Sequence, residues 1–118
     1  MWAFTGARRL SASARRALTA ADAHVFVSSV TLWEIAIKHA LGRGDMPVSA
    51  DVAAEEFEAA RFDELAITWS HVRCVGTLPD LHRDPFDRLL VAQSLVEPMT
   101  LLTHDARVAA YSASIRRV

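Results

Sequence analysis

His82-Arg83-Asp84-Pro85-Phe86-Asp87-Arg88-Leu89-Leu90-Val91-Ala92-Gln93 decides how this chain is read, together with Thr31-Leu32-Trp33-Glu34-Ile35-Ala36-Ile37-Lys38 ahead of it. Each stretch places an acid in the first turns of an apolar helix. Pro85 suits the first helical position, and Asp84 suits its cap. A third acid, Asp105, follows the strand-like run Met99-Thr100-Leu101-Leu102-Thr103. Three carboxylates at the mouths of separate elements suggest a site for a hard divalent cation. Such cations are the usual tools of phosphodiester hydrolysis.

On either side of these stretches, helices alternate with short strands. His24-Val25-Phe26-Val27 is β-branched and aromatic, and it predicts a strand. Ser28 and Ser29 offer capping oxygens for the next helix, which runs to about Leu41. In it Leu32, Ile35 and Ala36 fall at helical spacing, and Gly42 is placed to end it. Further helices are predicted over residues 12–20 with Ser11 as cap, over 51–60, from Thr68 or Ser70 to about Gly76, over 85–96, and near Tyr111. Leu65-Ala66-Ile67 and residues 99–102 read as strands, and Ser114-Ile115-Arg116-Arg117 as a last edge strand. Such alternation implies an α/β fold, a parallel sheet covered by helices. Ligands of such sheets bind beyond the carboxyl ends of the strands. Glu34 and Asp105 both lie on that edge.

Composition narrows the classes. The chain has 118 residues, 52% of them hydrophobic, which suits one domain with a real core. The formal net charge is −1, so the chain lacks a global basic field for binding nucleic acid by charge alone. A nucleic-acid role would rest on local arginines or on a metal that meets the phosphate. The one cysteine, Cys74, excludes an internal disulfide and fits a reducing, cytoplasmic setting. Lying in an apolar stretch, it reads as a structural thiol. No apolar run is long enough to span a bilayer. Met1 to Arg9 is not a signal peptide, because its basic pair follows the apolar residues.

Each acid also has an ordinary structural explanation. Thr31-Leu32-Trp33-Glu34 matches a capping box. Asp87 fits the positive end of a helix dipole, and Asp105 could cap the last helix. Convergence shifts the balance, since three clustered carboxylates repel one another without a cation. His39, His71, His82 and His104 show no metal-ligand spacing, and lone histidines of this kind are more often structural. Phosphate-loop, dinucleotide and serine-hydrolase motifs are absent. The pairs Arg8-Arg9, Arg15-Arg16 and Arg116-Arg117 suit surface solubility. Trp33, Trp69 and Phe86, set among aliphatic residues, suit core packing more than base stacking.

At Val27-Ser28-Ser29-Val30-Thr31-Leu32-Trp33-Glu34-Ile35-Ala36-Ile37-Lys38, His82 to Ser94, and Leu101-Leu102-Thr103-His104-Asp105, the chain resembles PIN-domain proteins. In particular it resembles the VapC-type toxin ribonucleases of type II toxin–antitoxin pairs. Leu41-Gly42-Arg43 and Leu78-Pro79 fall where that pattern expects them. The resemblance implies a Mg²⁺- or Mn²⁺-dependent endoribonuclease that cleaves RNA. By position, Glu34, Asp87 and Asp105 would be its catalytic, metal-binding acids. Asp84 rivals Asp87, but the family pattern favours the acid directly before Arg88-Leu89-Leu90. The implied partners are RNA, a small VapB-like antitoxin and a second copy in a homodimer, with no membrane.

The chain departs from the pattern at its start. PIN domains of this kind begin with a hydrophobic strand ending in an aspartate, commonly in an Asp-Thr-His setting. Met1-Trp2-Ala3-Phe4-Thr5-Gly6 instead resembles the helix that follows that strand, and no Asp precedes Asp22. The expectation is one PIN-like domain over residues 1–118, N-terminally truncated relative to the family and lacking the first, central strand. Either Met1 is a misassigned start, with about ten residues preceding it, or the chain is an inactive remnant that only binds an antitoxin or other partner. A receiver-like signalling module is a weaker alternative, because no phospho-accepting Asp follows a central strand.

Overall fold

The computed structural model describes residues 2–5 (as backbone), 16, 24–42, 44, 46–103, 106–112 and 115–117. Among them five strands form one sheet: β1 Trp2–Thr5, β2 His24–Ser28, β3 Asp63–Leu65, β4 Thr100–Thr103 and β5 Ile115–Arg117. Their order is β3-β2-β1-β4-β5, and every pair is parallel. The α/β class and covered parallel sheet are as expected. Leu101 and Leu102 are consecutive, so they point to opposite faces of the sheet, yet both are buried. The sheet is therefore covered on both sides at β4, as parallel sheets require.

One expectation needs correction. The central slot is not empty: Trp2–Thr5 fills it. Thr5 is in register with Val27 of β2 and with Leu102 of β4. Two aromatic residues and a threonine in four positions favour extended backbone. Both neighbouring strands also need partners for their inward N–H and C=O groups. The departure in chemistry remains, for this strand, Trp2–Thr5, carries no acid. The helix expected over residues 12–20 lies outside the described residues except for Arg16, which is helical.

The remaining helices are α1 Ser29–Ala40, α2 Ala50–Ala59, α3 Trp69–Val75, α4 Pro85–Val96 and α5 Ala106–Ala109. Their starts follow the capping oxygens in the sequence. The Ser28 hydroxyl accepts from Val30 N–H, Ser49 from Val52 N–H and Thr68 from His71 N–H. Gly42 ends α1 with φ +69°, a left-handed turn that suits glycine. The strand expected at Leu65-Ala66-Ile67 runs instead over Asp63–Leu65, because its backbone pairs with residues 26–28 of β2.

The main core gathers Val30, Leu65, Leu90, Val91, Leu101, Val108 and Ile115. A smaller one of Ile35, Met46 and Ala53 lies where α1 meets α2. The two cores take different faces of α1, which fixes its rotation and hence where its acid points.

A third tie is polar. Arg88 in α4 donates through Nη1 to Pro79 O (3.1 Å), His82 O (3.4 Å) and the Tyr111 hydroxyl (3.2 Å), and through Nη2 to Val75 O (3.3 Å). One guanidinium thus holds the whole α3–α4 connection. Lysine keeps the charge but cannot span four acceptors with a rigid fork. Arg88→Lys should destabilise the fold by about 2 kcal/mol. Urea unfolding checks this, and an unchanged midpoint would mean that the connection holds itself.

Candidate active site

The strand order sets the geography. From β1 the chain moves outward to β2 and β3, then returns to the other side of β1 for β4 and β5. The order reverses between β1 and β4, and crevices in open α/β sheets form at such switch points. β1 ends there at Thr5 and β4 at Thr103. Asp105 follows two residues after β4 but lies outside the described residues, as does His104.

Glu34 lies in the second turn of α1. The helix begins at Ser29 with Ser28 as its cap, so the capping-box reading of Thr31 to Glu34 is not realised. Thr31 is buried inside the helix, and Glu34 instead pairs with Lys38, one turn on. Both side chains are largely buried, at 13% and 19% exposure, so the pair is shielded from bulk water.

Asp87 lies in the first turn of α4, where the helix dipole favours an anion. Its Oδ2 is 3.1 Å from His82 Nε2, and its side chain is 28% exposed. Asp84, the rival acid, is the helix cap: its Oδ1 accepts from Phe86 N–H (2.8 Å) and Asp87 N–H (3.2 Å).

The two helices meet at the residues beside these acids. Trp33 and Phe86 stack edge to face, with ring centroids 5.0 Å apart and planes at 79°. Trp33 precedes Glu34 and Phe86 precedes Asp87, so this contact joins α1 and α4 at their acid-bearing turns. An apolar groove of 440 Å³ opens beside it, walled by Leu32, Trp33, Phe57 and Phe62 and rimmed by Glu58, Asp63 and Glu64.

The donor chemistry suits a hard divalent cation. Carboxylate oxygens are its preferred ligands, and Mg²⁺ commonly takes only one or two of them plus water and substrate phosphate. Glu34 and Asp87 are such donors. Among the described residues no three acidic, histidine or cysteine groups come together as a metal site.

Sequence reading missed His82 and Lys38. His82 looked like a lone histidine, and its ring meets Asp87 only through the fold of the connection before α4. Lys38 was legible, since a lysine four residues after a glutamate faces it on a helix.

Five parallel strands in one sheet covered by helices define an α/β domain, with Glu34 and Asp87 on two helices joined by the Trp33–Phe86 contact. The PIN domain model matches residues 1–113, and the chain belongs to that family. Among solved structures, the chain resembles one in the crystal structure of VapBC2 from Rickettsia felis bound to a DNA fragment from their promoter. The TM-score is 0.71 at 14% identity, covering 100% of this chain and 98% of that one. No curated protein matches the chain.

Proposed function

We propose that this chain is a VapC-like toxin, a Mg²⁺- or Mn²⁺-dependent endoribonuclease of the cytoplasm, with Glu34, Asp87 and Asp105 as its metal-binding acids. The observation that carries this reading is the Trp33–Phe86 contact, which joins α1 and α4 beside Glu34 and Asp87. PIN-family membership supports it. A bound divalent cation supplies an activated water and neutralises charge at the phosphate. The chain's own part is to hold the acids: Glu34 on a helix fixed by two cores, Asp87 on a helix start anchored by Asp84. Lys38 balances the Glu34 charge inside the fold.

The partners follow the same reading. A VapB-like antitoxin, with an apolar segment bearing basic residues, suits the groove whose rim is Glu58, Asp63 and Glu64. Exposed Trp69, Val72, Leu95 and Val96 on α3 and α4 suit the covered face of a homodimer. No helix among the described residues is long and apolar enough to cross a membrane.

A second reading is favoured by β1, which runs over Trp2–Thr5 without an acid. In it the chain only binds an antitoxin. One experiment separates the two. RNA oligonucleotides are incubated with the purified chain in Mn²⁺, Mg²⁺ or EDTA, and the thermal midpoint is followed in parallel. Cleavage that EDTA stops and Mn²⁺ restores supports the nuclease. Metal at about a hundred times its Kd should then stabilise the fold by about 2.7 kcal/mol. Absent cleavage and an unmoved midpoint, with tight antitoxin binding, would give the site to the binding protein.

A further inference from the structure

His82 is held from four directions. Its backbone N–H donates to the Tyr111 hydroxyl at 2.9 Å, and its carbonyl accepts from Arg88 at 3.4 Å. In the ring, Nδ1 accepts from Asp84 N–H at 3.0 Å, while Nε2 faces Asp87 Oδ2 at 3.1 Å. A neutral imidazole whose Nδ1 accepts carries its hydrogen on Nε2. The ring is therefore a donor aimed at the Asp87 carboxylate, and the side chain is 7% exposed. A buried donor with both its tautomer and its backbone fixed can hold one carboxylate oxygen in place. This is how outer-shell partners orient metal ligands.

We propose that His82 is a positioning residue for Asp87: its Nε2–H fixes the carboxylate in the orientation in which a divalent cation meets it. This rests on the metal-dependent reading above. The fold contains a useful contrast. His71 is also buried, accepts at Nδ1 from Thr68 N–H and meets a carboxylate through Nε2, but that carboxylate is Glu97 at the far end of α4. His71 has the same chemistry with no acid of the site attached.

Two substitutions separate the ring's two tasks. His82→Asn retains an acceptor near the Nδ1 position for Asp84 N–H and loses the donor to Asp87. His82→Gln retains a donor near the Nε2 position and loses the acceptor. Mn²⁺ binding to the full chain is read from the electron paramagnetic resonance of free Mn²⁺, alongside RNA cleavage and the thermal midpoint. His82→Asn should weaken Mn²⁺ binding and slow cleavage by about ten-fold or more, while His82→Gln stays within about three-fold of the unaltered chain even if its midpoint falls. Equal losses in the two variants, or unchanged Mn²⁺ binding in a folded His82→Asn, would overturn the assignment. Should His82→Asn fail to fold, His82→Leu takes its place in the same comparison. Asp87→Asn marks the difference from the parent reading. If the unaltered chain binds no Mn²⁺, both proposals fall. If Asp87→Asn loses Mn²⁺ and His82→Asn does not, only the positioning role falls.

Discussion

Asp87→Asn should abolish RNA cleavage in a protein that still folds. The amide oxygen accepts from His82 Nε2–H as the carboxylate oxygen does, so the 3.1 Å contact survives the change. The side chain is only partly buried and its neighbours Asp84 and Arg88 are untouched, which keeps the stability change within about 1 kcal/mol. Lost instead is a formal charge that a hard cation requires. Removing an outer-shell partner costs about 10–100-fold, and loss of a direct ligand should exceed that. Cleavage of an RNA oligonucleotide in Mn²⁺, with circular dichroism on the same sample, provides the check. Full activity in the variant would remove Asp87 from the site. A collapsed spectrum would show that its charge supports the fold.

Gln93→Leu should destabilise the fold strongly. The side chain is fully buried and joins four elements. Its Oε1 accepts from the Ser28 hydroxyl at the end of β2, at 2.6 Å. Its Nε2 donates to Ala66 O just after β3 and lies 3.4 Å from His71 Nδ1 of α3. Leucine has nearly the same volume, so packing is kept while the hydrogen bonds vanish. The Ser28 hydroxyl is then left buried without its acceptor. Buried groups stripped of partners cost about 1–3 kcal/mol each, so a total of about 3 kcal/mol is expected. That corresponds to a fall of roughly 10 °C or more in Tm. A fall below about 3 °C would mean that these bonds are replaced by others.

The sequence carried the fold far, because its element boundaries are written in side-chain chemistry. Of the capping oxygens the sequence offers, Ser28 rather than Ser29, Thr68 rather than Ser70, and Asp84 each cap a helix, while Ser49, ahead of the helix expected from residue 51, is a cap that went unread. Gly42 is readable for the opposite reason: lacking a Cβ, it takes the left-handed turn that ends α1. The error lay at Trp2–Thr5, which local resemblance gave to a helix and the sheet claims as a strand. Four residues with no periodic partner of their own take the form that their neighbours' backbone requires. Glu34 and Asp87 were legible as acids in the first turns of helices. Their nearest companions were not equally so: Lys38 follows from helical spacing, whereas His82 reaches Asp87 only because Arg88 and Tyr111 fold the preceding connection back. Long-range hydrogen bonds of this kind leave no period in a sequence.

Among the described residues the sheet ends on each side in a strand of three residues, and the two borders differ in sign. β3 exposes Asp63 and Glu64, while β5 exposes Arg116 and Arg117. A two-fold symmetric pair sets a surface against its own copy. Edge-to-edge joining through β3 would set acid against acid, and through β5 arginine against arginine. Either would gain only a three-residue ladder against that repulsion. Among the described residues, the borders of this sheet therefore oppose symmetric edge-to-edge growth.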